Sequence, residues 1–123
     1  MFNSYKKGWK YTTTEEVVYD TGWDVPNAIL TPFIELTLCG RLTISKGYSF
    51  DGASGAIDTD TVMKGALLHD SCYQLLRGGK LPQEYRKKAD KLFYKVNVEE
   101  GMFEFRAMYM YLAVRAFGWK FSQ

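Results

Sequence analysis

The chain has 123 residues, enough to bury one hydrophobic core and too few for two domains of ordinary size. Hydrophobic residues make up 46% and charged residues 24%, which is typical of a globular protein and excludes a disordered chain. The net charge of +2 is too small an excess to indicate a nucleic-acid partner. Binding of nucleic acid through the lysines of the second predicted helix therefore ranks last among the hypotheses.

Few residues of this chain are suited to bind a soft metal ion. Two cysteines, Cys39 and Cys72, and a single histidine exclude a zinc site of the ordinary type. The N-terminal segment has no apolar run of signal-peptide length, and no segment is long enough to span a bilayer. We therefore expect the cytoplasm of the producing cell and reduced thiols, and the sequence leaves open whether the two cysteines meet.

The first 50 residues are predicted to form strands. Three segments, at 9–20, 28–38 and 41–50, are rich in Val, Ile, Thr, Tyr and Phe and are separated by turn residues. The break at Gly40–Arg41 predicts a tight hairpin.

The second half of the chain is predicted to be helical. A glycine-rich loop at 51–58 precedes a first helix at about 60–77, which Gly78 and Gly79 end. A second helix is expected from Pro82 to near residue 101, and a third at about 102–117 before a break at Gly118. Strands followed by helices indicate the α+β class. We expect a single domain over 1–123, with a small antiparallel sheet from 8–50 packed on three helices.

His69 carries the most informative pattern of the first helix. Helical periodicity places it on the apolar stripe with Gly65 and Tyr73, while Asp70 and Arg77 lie at the edge of that stripe. Because Gly65 has no side chain, there is room beside the imidazole of His69 on this apolar face for a ligand or a polar partner.

The second helix has a matching polar row beside its apolar seam. Arg86, Asp90 and Asn97 lie along one flank of Phe93. A buried carboxylate needs a partner, because an unpaired buried charge is costly. Two partners of Asp90 remain open: Arg86, four residues earlier on the same helix, or the imidazole of His69 on the first helix.

A contact between His69 and Asp90 predicts general-base chemistry. A carboxylate that holds one ring nitrogen fixes the tautomer, so that the other nitrogen can take a proton from water. Tyr73 can hydrogen-bond the same carboxylate. Asp70 points toward the glycine-rich loop, where backbone carbonyls can join it around a hard cation such as Ca²⁺. Such an ion polarises a carbonyl group and stabilises its oxyanion.

Residues 51–94 resemble the short microbial form of the small calcium-dependent secretory phospholipases. The matching residues are Asp51-Gly52-Ala53-Ser54, then His69-Asp70 with Tyr73, and Asp90 before Phe93-Tyr94. The resemblance implies hydrolysis of a phospholipid ester. It implies that His69 is the general base and Asp90 its orienting partner. Asp70 would then be a calcium ligand, and Asp51, Gly52 and Ser54 would belong to the carbonyl cradle. Ala53 stands where that family has a cysteine.

Over most of its length the chain resembles a family of small uncharacterised phage and prophage proteins. The segments GYSFDGASGAIDT, KGALLHDSCYQLLR and FRAMYMYLAVRAFG carry this resemblance, which implies a place in the host cytoplasm or in a virion. The leading hypothesis is a phage-encoded hydrolase-like protein acting on a lipid or small ester. The alternative is a non-catalytic accessory protein, either a virion component or a binder of a host or defence factor. In that case the polar residues form a network that fixes helix packing, namely His69, Asp70, Tyr73, Arg77, Arg86 and Asp90.

Overall fold

The computed structural model describes residues 2–4, 11–50 and 60–123. The chain divides into two compact units, Met1–Asp51 and Gly52–Gln123, and each is described by itself. The first contains antiparallel strands and the second contains three helices, so the predicted α+β class is confirmed. The single-domain organisation stays a prediction.

The sheet unit contains two small antiparallel sheets where the sequence predicted one. Each predicted segment contains two short strands, because a turn interrupts it, and a further strand precedes them near the N-terminus. The strands are β1 (Phe2–Ser4), β2 (Tyr11–Thr13), β3 (Val17–Asp20), β4 (Ile29–Leu30), β5 (Ile34–Leu36), β6 (Arg41–Ile44) and β7 (Ser49–Phe50). One sheet has the order β1-β2-β7 and the other β3-β6-β5-β4.

The hairpin of β5 and β6 forms the centre of the four-stranded sheet. Ile34 pairs with Ile44 and Leu36 with Leu42, and all four side chains are fully buried. The predicted turn is confirmed, and Gly40 is required there for two reasons. Its φ of +91° favours glycine, and a Cβ atom would lie 2.5 Å from the backbone nitrogen of Trp23.

The helical unit consists of α1 (Asp60–Arg77), α2 (Tyr85–Glu99) and α3 (Glu104–Phe117), followed by a short 3-10 helix (Gly118–Phe121). The bounds of α1 are those predicted. Its end is a Schellman motif: Gly79 has a φ of +71°, its N–H bonds the carbonyl of Leu76, and the N–H of Lys80 bonds that of Leu75. No helix in the described ranges has the length and apolar character needed to cross a bilayer.

One predicted helix boundary differs from the structure. The helix α2 begins at Tyr85 instead of Pro82, because Pro82 opens a tight turn in which its carbonyl accepts the N–H of Tyr85. The helix α3 ends at Phe117, as predicted, and the chain continues from Gly118, whose φ is −68°, as the 3-10 helix. Gly118 is needed for space: a Cβ atom would lie 2.5 Å from the hydroxyl of Tyr73.

Candidate active site

Two adjacent turns of α1 present His69 and Tyr73 to α2. Their rings lie 4.2 Å apart between centroids, and the ring of Phe93 on α2 lies 5.0 Å from that of His69. Tyr73 is buried, whereas the side chain of His69 keeps 13% of its surface exposed. The spacing of four residues on one helix places both polar groups at the same point of the α1–α2 interface.

The carboxylate of Asp90 is the centre of the site. Its side chain is fully buried on α2, and its Oδ1 atom accepts two short hydrogen bonds. Nε2 of His69 lies 2.7 Å from Oδ1, and the hydroxyl of Tyr73 lies 2.6 Å from the same atom. Of the two partners that the sequence left open for Asp90, His69 is therefore the one in direct hydrogen-bond contact.

Two arginines complete the surroundings of Asp90. Nη1 of Arg115, on α3, donates to Oδ2 of Asp90 at 2.8 Å, and Nε of Arg86 lies 3.9 Å from Oδ2. Arg86 donates from Nε to the hydroxyl of Tyr73 at 3.2 Å and from Nη2 to the carbonyls of Val114 and Arg115. Because these carbonyls belong to the last turn of α3, Arg86 also caps that helix.

These contacts keep Asp90 ionised and Tyr73 protonated. Burial by itself would raise the pKa of Asp90, but the hydrogen bonds from His69, Tyr73 and Arg115 lower it below the ordinary value. Burial and the hydrogen bond to Asp90 raise the pKa of Tyr73 well above its ordinary value. The phenol is therefore a hydrogen-bond donor at neutral pH.

The ionised carboxylate determines the tautomer of His69. Because Asp90 is an acceptor only, Nε2 of the neutral ring must carry the proton that it shares with Oδ1. Nδ1 of the neutral ring then holds a lone pair. A ring oriented at one nitrogen, with a basic second nitrogen and part of its surface exposed, is the arrangement of a general base.

The remaining predicted site residues lie elsewhere or outside the described ranges. Asp70 is half-buried at the next position of α1. Arg77, expected beside Asp70, donates from Nη1 to the carbonyl of Phe121 at 2.7 Å. The loop residues Asp51, Gly52 and Ser54 lie outside the described residues. Within the described ranges, no group of three or more His, Cys, Asp or Glu side chains is placed to hold a metal ion.

The chain matches one known protein family over most of its length. A family model described as "Protein of unknown function (DUF1353)" matches residues 27–114, which is more than half of the chain. The chain is a DUF1353 protein. No curated protein and no solved structure is significantly similar to it. The matched range includes His69, Tyr73, Arg86 and Asp90 and ends one residue before Arg115.

One member of the site in this DUF1353 protein, Arg115, is absent from the site residues predicted above. It forms the shorter of the two arginine contacts with Asp90, 2.8 Å against 3.9 Å for Arg86. Two features of the sequence could have identified Arg115 as a partner of Asp90. One is a cation near the inward-facing side of an otherwise apolar helix, and the other is a buried carboxylate on the preceding helix.

Neither described cysteine takes part in the site of the DUF1353 protein. Cys39 is exposed, Cys72 is buried, and both are free thiols. Burial raises the pKa of Cys72 to about 12, and the charge of Asp90 adds to this effect. The thiol of Cys72 is therefore protonated at neutral pH and is not a nucleophile.

Proposed function

We propose that this DUF1353 protein is a phage-encoded hydrolase, working in the host cytoplasm or the virion, in which His69 activates water. The observation that carries the proposal is the 2.7 Å contact between Nε2 of His69 and the buried carboxylate of Asp90, on a ring that is partly exposed. This contact fixes the proton on Nε2 and leaves Nδ1 as the base.

The reaction needs only one group that transfers protons. Nδ1 of His69 removes a proton from water as the water oxygen attacks the carbonyl carbon of an ester. The same proton then passes to the departing alkoxide, which leaves as an alcohol. Asp90 stays ionised throughout and stabilises the imidazolium, while Tyr73 and Arg115 hold the carboxylate in position.

The proposed substrate class is a phospholipid-type or other small ester, with Ca²⁺ as the assisting ion. Asp70, the neighbour of His69 on α1, fits such an ion as an oxygen ligand, and the other proposed ligands are Asp51, Gly52 and Ser54. A bound Ca²⁺ supplies polarisation of the ester carbonyl and stabilisation of the oxyanion.

The test is hydrolysis of micellar phospholipids and of a panel of simple esters and phosphoesters by the wild type, His69→Ala and Lys91→Ala. Lys91 is exposed and directly follows Asp90, so its variant is the matched control. Loss of a general base lowers kcat/KM by roughly 10²- to 10⁴-fold. We expect that loss in His69→Ala and wild-type rates in Lys91→Ala. Equal rates in the wild type and His69→Ala would refute the catalytic role.

The calcium part of the proposal is tested by a separate titration. The thermal midpoint of the wild type is expected to rise with Ca²⁺ concentration and to respond much less to Mg²⁺. The same titration of Asp70→Asn is expected to give a smaller rise. A midpoint that does not respond to Ca²⁺ in either protein would remove the ion from the proposal and leave the His69 base untouched.

A second candidate function, a non-catalytic phage accessory protein, is favoured by one observation. Asp90 is completely buried and is bonded by side chains from α1 and α3, as expected of a network that fixes helix packing. Such a protein binds a virion, host or defence protein instead of a substrate. This second function predicts that the wild type hydrolyses none of the esters and that His69→Ala is less stable than the wild type.

A further inference from the structure

The outward face of α3 is apolar and exposed. Phe105, Met108, Tyr109 and Leu112 keep between 44% and 79% of their surface exposed, and Ala116 is exposed one turn later. We call these five residues the α3 stripe. Isolated exposed apolar residues are ordinary, but a contiguous apolar row along a whole helix marks an interaction surface.

The residue spacing shows that the α3 stripe is built to pack against another helix. Phe105, Tyr109, Leu112 and Ala116 follow one another at intervals of four, three and four residues, the spacing of a helix–helix seam. The opposite face of α3 is already buried, as shown by Ala107 and Met110. A helix that is apolar on both sides belongs in the interior of an assembly.

We propose that the partner of the α3 stripe is a second copy of this chain, related by a two-fold axis with the two helices antiparallel. In that arrangement large side chains meet small or medium ones: Phe105 faces Ala116 and Tyr109 faces Leu112 of the other copy. Because pairs of this kind fill space without voids, the surface is complementary to itself.

The exposed apolar area is sufficient for such a dimer. Aromatic side chains contribute about 150–250 Å² each when fully exposed, so the α3 stripe leaves on the order of 500 Å² open. Trp119, in the 3-10 helix that directly follows α3, is also exposed and raises the area to roughly 600 Å². Specific interfaces bury about 600–1,000 Å² on each partner, and this area lies at the lower end of that range.

The charges on α3 favour a protein partner over a lipid surface. Helices that lie on membranes carry several free lysines or arginines beside the apolar face. The two cations of α3 are Arg106, which already makes an interaction of its own, and Arg115, which donates to Asp90. The lysine closest to α3 in sequence, Lys120, lies over the ring of Trp119 at 5.8 Å.

Sedimentation equilibrium over a concentration series tests the proposal. The wild-type chain is expected to reach twice its own mass, and Leu112→Asp to stay at the monomer mass. Leu38→Asp, in the sheet unit, is the matched control because Leu38 and Leu112 are both 57% exposed. It is expected to dimerise like the wild type. Phe105→Glu is a second variant of the α3 stripe, and far-ultraviolet circular dichroism verifies that each variant keeps its helices.

Four results would overturn the proposed dimer interface. The first is a wild type that remains monomeric at every concentration. The second is a dimer that persists in both folded variants of the α3 stripe. The third is a monomer that co-sediments with phosphatidylglycerol vesicles through the same residues, which would assign the stripe to a lipid surface. A dimer that Leu38→Asp disrupts as strongly as Leu112→Asp would also contradict the assigned interface.

Discussion

The hydrogen bonds of Asp90 offset the free-energy cost of burying its charge. Removing a carboxylate from water costs several kcal/mol, and short hydrogen bonds from opposite or polar groups offset that cost. His69, Tyr73 and Arg115 supply three such bonds to its two oxygens. Because these donors come from α1 and α3 while Asp90 lies on α2, the carboxylate joins all three helices of the unit.

The lowered pKa of Asp90 predicts a particular acid sensitivity. A carboxyl group with a folded-state pKa below its unfolded value of about 3.9 stabilises the fold fully above that pH. The stabilisation is lost as the pH falls through the lower, folded-state pKa. Urea unfolding from pH 7 down to about pH 2 is therefore expected to show wild type and Asp90→Asn converging in free energy of unfolding as the pH falls. Curves that stay parallel would contradict this assignment.

Gly118 predicts a second effect at the level of one residue. A Cβ atom there would lie 2.5 Å from the hydroxyl of Tyr73, which Asp90 and Arg86 hold in place. We expect Gly118→Ala to lower the free energy of unfolding by about 1–3 kcal/mol. Gly78→Ala is the control, since its nearest contact is an ordinary 3.4 Å, and it should change stability by less than about 0.5 kcal/mol. Equal effects in denaturant unfolding would rule out the steric argument.

The central residues of the site could be predicted from the sequence, but the full set of hydrogen-bond partners of Asp90 could not. The spacing of four residues from His69 to Tyr73 guarantees one helix face, and a polar residue beside the apolar seam of α2 requires a partner. Which partner it finds depends on how α1 and α3 pack around α2, and that is not a local property. Arg115 was missed for this reason, because it lies 25 residues from Asp90.

The contact between α1 and α2 depends on a glycine facing an amide. A Cβ atom at Gly65 would overlap Oδ1 of Asn97, and neither side-chain polar atom of this buried asparagine has a hydrogen-bond partner in the described part of the chain. The two helices can approach closely here only because Gly65 has no side chain. One turn further along α1, His69 reaches Phe93 and Asp90.

A double-mutant cycle tests this seam. Gly65→Ala alone is expected to destabilise the protein by about 1–3 kcal/mol, because the methyl group displaces the side chain of Asn97. In an Asn97→Ala background the same change is expected to cost less by about 1 kcal/mol or more, since the obstructing amide is gone. Thermal or urea unfolding of the four proteins gives the coupling. Additive effects would contradict a direct contact.

The ends of the helices were predictable where a glycine fixes the geometry locally. Gly79 ends α1 through two hydrogen bonds that lie within six residues of sequence, and Gly101 ends α2 in the same way. The start of α2 was misplaced because Pro82 is equally suited to a helical first turn and to the tight turn that it forms. The end of α3 before Gly118 was predicted, but the close approach of Tyr73 to Gly118 was not, because Tyr73 lies on another helix.

At the scale of the whole molecule, the order of strands and helices along the sequence predicted the fold class, but it did not predict the number of sheets. The α+β class follows from the change of hydrophobic period, which is local. The number of sheets follows from pairing over long separations, as when Thr12 on β2 pairs with Ser49 on β7, 37 residues away. Short strands specify such partners weakly, because few side chains fix the register.

The sheet unit, Met1–Asp51, is small for a structure with its own core. Below roughly 70–80 residues a single hydrophobic core rarely supplies more than about 3–5 kcal/mol. Ile44 is fully buried in the four-stranded sheet between β3 and β5. Replacing such a residue by alanine costs about 2–5 kcal/mol, which is comparable with the whole stability that a core of this size provides.

Ile44→Ala is therefore expected to unfold a large fraction of the sheet unit at 25 °C. Trp23 is buried in this unit, so its fluorescence should shift to longer wavelength in a background where Trp9 and Trp119 are replaced by phenylalanine. Val18→Ala, on the exposed side of β3, is the control and should keep the wild-type spectrum. A wild-type spectrum in Ile44→Ala would mean that the sheet unit takes its stability from more than the core of its own strands.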